Sequence, residues 1–238
     1  MKKNLNFKRE DGLNRWIYCF LSNAIFVYCV IIALSLMLFS FTIIECQVDG
    51  ASMQPTLNAI SVKKSDTAYI NKFDKDYKYG DIVVIEGNGK TIIKRVIGLE
   101  GDVIDVVKVN GVYYMERNGE VLQEDYILIE DSPLVPTYSQ NGMDYMYHNH
   151  WLTLLEEKPE LFIKDGENAG KLLVGENQIF VLGDNRRVSL DSSINGPYEL
   201  SKVQGIVENI KYFGTSDFEF YWDYVVSGKF WITLFNIF

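Results

Sequence analysis

Three short segments carry residue types that, brought together, can break an amide bond. The first is Gly50-Ala51-Ser52-Met53-Gln54-Pro55-Thr56-Leu57. A serine among small residues can sit in a tight turn, its hydroxyl open to a substrate backbone and its own N–H aimed where an oxyanion develops. Pro55 then fixes the chain direction. By itself, such a serine is an ordinary turn residue. The second segment, Thr91-Ile92-Ile93-Lys94-Arg95-Val96-Ile97-Gly98 followed by Gly101-Asp102, sets a lysine inside an apolar strand. A buried, unpaired ammonium is costly, so an inward Lys94 would lose its proton readily and serve as base to Ser52. In the plainer alternative, Lys94 and Arg95 both lie near the surface, alternating with the strand period. The third, Phe180-Val181-Leu182-Gly183-Asp184-Asn185-Arg186-Arg187-Val188-Ser189-Leu190-Asp191-Ser192-Ser193, runs from an apolar strand into a turn dense in hydrogen-bonding groups. Ser189 can orient a neutral lysine amine there, and Asp184 and Asp191 can hold the loop by charge-assisted bonds. Its plain reading is an Asx-rich turn.

Other reactive side chains offer less. His148 and His150 would share a face if they lay on a strand, but no third metal ligand accompanies them, so no metal site is assigned. Cys19 and Cys29 fall in an uncharged run, and Cys46 just beyond it has no nearby histidine to activate it. One cysteine outside that run makes no disulfide framework, so the fold must rest on its core.

The elements that position these residues begin with an anchor. No Asp, Glu, Lys or Arg occurs from Trp16 to Ile44. At ~1.5 Å per residue, a helix of that length covers about 43 Å, enough to cross a ~30 Å hydrocarbon layer with some tilt. A signal-peptide apolar core is shorter, so the run reads as a retained span rather than a cleaved leader. Lys2, Lys3, Lys8, Arg9 and Arg15 precede it, and Glu45 and Asp49 follow it. The positive-inside rule then places the N-terminus in the cytoplasm and everything after Ile44 outside. Residues 1–15 carry a net +3, so the total of −9 leaves −12 for the exterior part. That acidity argues against nucleic acid as a partner.

After the span, strands are expected at Thr67–Asn71, Asp81–Glu86, Thr91–Ile97, Val103–Val109 and Val112–Arg117, with later ones at Gln178–Leu182 and Gly205–Tyr212. Asn110-Gly111 marks a two-residue hairpin turn. The fold class is mainly β, an all-β sheet assembly or partly open barrel. The organisation expected is a cytoplasmic segment at 1–15, an anchor at 16–44, a β core at 45–130, an insertion or small subdomain with one short helix at 131–171, the second part of the core at 172–215, and a tail at 216–238. The apolar stretch Phe230–Phe238 is too short to span and either lies in the membrane interface or packs on the core.

In this order, downstream of an anchor, the three segments resemble bacterial type I signal peptidase, a membrane protease that removes signal peptides from exported proteins. The resemblance covers the anchor and roughly Val48 to Tyr212 apart from the insertion. It rests on Ser-Met-x-Pro-Thr-Leu, on Lys-Arg-Val-Ile-Gly-x-x-Gly-Asp and on Gly-Asp-Asn-Arg. It implies a β-sheet catalytic core with a variable insertion, Ser52 as nucleophile, Lys94 as general base and Ser189 as the lysine-orienting hydroxyl. Asp191 matches a position that supports the active-site loop, with Asp184 beside it. The implied preference is for small substrate side chains at −1 and −3, with Met53, Leu57, Ile92 and Ile93 as pocket candidates. The resemblance further implies no cofactor, exported preproteins as substrates, and membrane lipid and the secretion machinery as partners. This sequence departs from the family at three places. Gly50 stands where some members have an oxyanion-donating serine. Ser193 replaces the arginine that usually partners Asp191, and Arg187, at a commonly acidic place, is the candidate to supply that charge. Two other readings were weighed: a self-cleaving Ser–Lys repressor, which would carry a DNA-binding domain instead of an anchor, and a catalytically impaired relative serving pilus assembly or secretion.

Overall fold

The computed structural model describes residues 2–87, 89–127 and 142–226. It divides into two units, Met1–Thr42 and Ile43–Phe238. The first is a single helix, α1 (Lys2–Thr42). Within it, Asn14–Met37 forms a 24-residue stretch of mean hydropathy 2.3 whose most apolar window has no residue buried within the protein. About 36 Å of helix follows from that length, sufficient for one membrane crossing. The helix stops at Thr42, so Ile43 and Ile44, the last residues of the uncharged run, belong to a strand instead.

The second unit is built on antiparallel pairing. Its strands are β1 (Ile43–Gln47), β2 (Thr67–Asn71), β3 (Ile82–Gly87), β4 (Lys90–Gly98), β5 (Val103–Val109), β6 (Val112–Arg117), β7 (Glu120–Val121), β8 (Leu172–Leu173), β9 (Gln178–Leu182), β10 (Tyr198–Glu199) and β11 (Val203–Lys211). Seven form one sheet in the order β1-β2-β11-β3-β4-β9-β10, and β7-β6-β5-β8 form a second. The β5–β6 turn has Asn110 at φ 51° and Gly111 at φ 89°. This left-handed pair is what a tight hairpin requires and what Asn-Gly supplies. The expected strands are present, with ends moved by one or two residues at Ile82–Gly87, Lys90–Gly98 and Val203–Lys211.

Three apolar clusters hold the unit together. β9 shows how, because its side chains alternate between two of them. Ile179 and Val181 join Val83, Ile85, Val96 and Val203 in one cluster. Phe180 and Leu182 join Ile104, Met115, Trp151, Leu154 and Leu172 in another. A strand buried on both faces needs a continuous apolar run, and Ile179-Phe180-Val181-Leu182 is one. The third cluster joins Val48, Met53, Leu57 and Ala68 under the serine loop.

The described part of the expected insertion is helical up to Leu161: α2 (Gly142–Met146), a π-helical turn at Tyr147–Trp151, α3 (Leu152–Glu157) and a 3-10 turn at Pro159–Leu161. Met143, Met146, Trp151 and Leu154 enter the same cluster as β5 and β9, so this stretch shares the sheet's core. Its first residues, 131–141, lie outside the described residues, as does Phe230–Phe238. Two further helices follow β9: the four-residue α4 (Ser192–Asn195) and α5 (Asp217–Val226).

Candidate active site

The loop between β1 and β2 carries Ser52, and its shape is set by a residue the sequence reading passed over. Asn58 is buried, and its side-chain amide donates to the carbonyls of Val48 at 2.7 Å and Gly50 at 3.1 Å. Its oxygen accepts from the Asp66 N–H at 2.8 Å, and the Asp66 carboxylate accepts from the Asn58 N–H at 2.7 Å. These reciprocal bonds close the loop on itself, so Ser52 is held without regular structure. The only sequence hint is an Asn and an Asp eight residues apart around a polar loop.

Lys94 comes from β4, where it pairs with Val83 of β3. Its side chain turns inward and is 3% exposed. Its Nζ lies 2.8 Å from Ser52 Oγ and 2.7 Å from the Ile93 carbonyl oxygen. Among the described residues, no carboxylate pairs with it directly. Burial therefore lowers its pKa from the ordinary lysine range, against a smaller opposing pull from Asp191 and Asp184. A neutral amine beside a serine hydroxyl can accept its proton, which makes the oxygen a nucleophile.

Arg95, the next residue on β4, projects the other way and grips Asp184 with two bonds, Nε to Oδ1 at 2.8 Å and Nη2 to Oδ2 at 2.6 Å. Thr56 Oγ1 also donates to Asp184 Oδ2 at 2.5 Å. Asp184 thus ties the serine loop, β4 and the turn after β9 together. That turn is also joined to the serine directly, through the Asn185 N–H to the Ser52 carbonyl at 3.0 Å. Gly183 leaves no room for a side chain, since a Cβ there would stand 2.4 Å from the Ser52 carbonyl oxygen and 2.2 Å from Ser189 Oγ. Ser189 itself is buried, and its hydroxyl has no hydrogen-bond partner among the described residues. The structure thus sets Ser189 beside the pair without the expected bond to the lysine amine.

Asp191 accepts from the Gly183 N–H at 2.8 Å, from the Ser193 N–H at 3.0 Å and from Ser193 Oγ at 2.7 Å, capping α4. The side chain at 193 therefore still partners Asp191 although it is not an arginine. Arg187 is exposed and lies over the Tyr145 ring at 5.6 Å. The buried cation of the turn is Arg186, paired with Glu124, an acid the sequence reading did not single out.

A cavity of about 270 Å³ opens beside the pair, lined by Cys46–Asp49, Ser52, Val84 and Thr91–Lys94. Of the four pocket candidates, Ile92 and Ile93 line it. Met53 and Leu57 do not: both are packed in the cluster beneath the serine loop, because the loop's turn directs them to the core. β1 and β4 are four places apart in the sheet yet wall the same cavity, so the sheet coils strongly. On the side away from β3, β4 pairs with β9 only from Arg95 onward. Among the described residues, its Thr91–Lys94 edge has no strand partner on that side.

His148 and His150 lie in the π-helical turn rather than on a strand, so their side chains diverge. His148 approaches Asp144 at 3.7 Å, and His150 Nδ1 approaches Ser193 Oγ at 3.2 Å. Among the described residues, no cluster of three or more His, Cys, Asp or Glu side chains could hold a metal ion.

The model of the signal peptidase family, peptidase S26, matches residues 20–212. The chain belongs to that family. Signal peptidase I S of Bacillus subtilis is 32% identical over 194 residues, covering 81% of this chain and 84% of that protein. Signal peptidase I of Bacillus licheniformis is 27% identical over 226 residues, 93% of this chain and 95% of that one. A solved signal peptidase I from Enterococcus faecalis aligns with 56% of this chain and 97% of its own, at 25% identity and a TM-score of 0.33. Membership makes this signal peptidase a serine endopeptidase that removes signal peptides. No finding supports a catalytically impaired pilus or secretion partner.

Proposed function

We propose that Ser52 is the nucleophile of this signal peptidase and that neutral Lys94 is its general base. The observation that carries the proposal is the 2.8 Å contact between Lys94 Nζ and Ser52 Oγ, made by an amine whose pKa burial lowers. Lys94 takes the Ser52 proton as Oγ bonds to the scissile carbonyl carbon, and the Ser52 N–H donates to the oxyanion. The C–N bond then breaks, Lys94 returns the proton to the leaving amine, and the acyl group stays on Ser52. Lys94 next deprotonates a water that attacks the ester, restoring the free serine. These steps move only protons and an acyl group and call for no cofactor.

Asp184 and Asp191 fix the turn against which Ser52 rests. The buried Ser189 hydroxyl is the group to hold the Lys94 amine while Ser52 is acylated. Ile92 and Ile93, lining the cavity, limit the substrate side chains at −1 and −3. The basic residues before the span put the N-terminus in the cytoplasm and the catalytic unit outside, where preproteins emerge from the secretion machinery.

Two variants test the roles. Ser52→Ala and Lys94→Ala, each purified as folded full-length protein, are expected to lose preprotein cleavage by at least about 10³-fold. Full cleavage by either would remove that residue from the mechanism.

A further inference from the structure

His150 serves no step of the proposed reaction, yet a continuous line of hydrogen bonds runs from it to the serine loop. Its Nδ1 lies 3.2 Å from Ser193 Oγ. Ser193 Oγ donates to Asp191 Oδ1 at 2.7 Å. A hydroxyl has one proton, and an ionised carboxylate can only accept, so that proton is committed to Asp191. The bond from His150 must therefore run the other way, with Nδ1–H donating to the Ser193 oxygen. Asp191 passes the constraint on through Oδ2, which accepts the Gly183 N–H at 2.8 Å. Gly183 packs directly against the Ser52 carbonyl, and Asn185 two residues later donates its N–H to the same oxygen at 3.0 Å.

We propose that His150 is a positioning residue for catalysis. By fixing the Ser193 hydroxyl it sets Asp191, and Asp191 sets the turn that holds Ser52 in line with Lys94. The helical stretch thereby completes the catalytic centre from a distance. The His150 end of the line is anchored. Trp151, the neighbour of His150, is buried in the core, and the His150 ring meets the Tyr145 ring edge-on at 5.6 Å. Asp191 also stands close enough to Lys94 to oppose the lowering of its pKa, so a displaced carboxylate changes the base as well as the nucleophile. Burial keeps His150 below the ordinary histidine range, consistent with a neutral Nδ1–H donor.

The proposal rests on the Ser52–Lys94 reading, and the experiment separates the two. Steady-state cleavage of a preprotein is measured with full-length His150→Leu, which keeps bulk but loses the donor, with His150→Asn, which keeps a donor, and with Ser193→Ala and the His150→Leu/Ser193→Ala double variant. His150→Leu is expected to lower kcat about tenfold with KM within about twofold, the effect of one buried hydrogen bond on a positioned group. His150→Asn should recover most of that loss, and the double variant should be no worse than the poorer single one. Wild-type kcat in His150→Leu, equal loss in His150→Asn, or multiplying losses in the double variant would each overturn it. If instead Ser52→Ala and Lys94→Ala stay active, the dyad fails first.

Discussion

With the residue 3% exposed, Lys94 gives up most of the hydration an ammonium needs, and among the described residues no carboxylate bonds to it in return. Its folded-state pKa is therefore below its unfolded one. Between those two values the unfolded chain binds the extra proton, so stability rises with pH there, and the penalty is complete below the folded pKa. Lys94→Met fills the same space without the charge. It is expected to be inactive yet more stable by about 1–3 kcal/mol near neutral pH, with the gain vanishing above the ordinary lysine pKa of ~10.4. Thermal unfolding of both proteins in detergent checks this; a less stable methionine variant would mean that Lys94 is not buried at a cost. The lysine's inward direction could be suspected in the sequence from its apolar neighbours. Whether it met Ser52 could not, because 42 residues separate them and only the coiling of the sheet from β1 to β4 brings the two together.

Local pattern made most strands readable. Asn110-Gly111 and the apolar run at residues 179–182 define their elements by turn chemistry and burial alone. β1 was hidden because Ile43 and Ile44 continue the uncharged run of α1, and composition does not mark where a helix passes into a strand. The helices of the insertion were half hidden, since a π-turn blurs the 3.6-residue period. α5 is the element whose role is least settled by pattern. Phe220 docks it, 7% exposed and stacked 4.6 Å from Tyr69, while Phe218, Trp222 and Val226, spaced four apart, remain open on another face. Tyr221 OH donates to Glu45 Oε1 at 3.2 Å, which ties α5 to β1. We propose that this aromatic face rests in the membrane interface, the setting that Trp and Phe favour. In proteoliposomes containing brominated lipid, wild-type fluorescence should be quenched more than that of Trp222→Phe. Equal fractional quenching would place Trp222 in water.

At the scale of the molecule, an apolar helix precedes a β unit whose proposed catalytic pair sits between a loop after β1 and β4, an inner strand of a coiled sheet. The order of the three chemical segments was legible, as were Ser52 and Lys94 as candidates, because each segment carries its residue types locally. The supports were not. Arg186–Glu124, Asn58–Asp66 and His150–Ser193 each join positions that only tertiary packing brings into contact. The substitution of Ser193 for a usual arginine looked like a loss in the sequence, whereas the structure gives Asp191 a hydroxyl and two backbone donors. The central claim is that a buried, neutral lysine drives a membrane-anchored serine. Its most direct test is the pH dependence of kcat/KM for full-length enzyme cleaving a preprotein in proteoliposomes. Cleavage should fall as pH drops through an apparent pKa well below the ordinary ~10.4 of lysine, following protonation of Lys94 in the free enzyme. A rate that stays flat down to about pH 5 would contradict a lysine base.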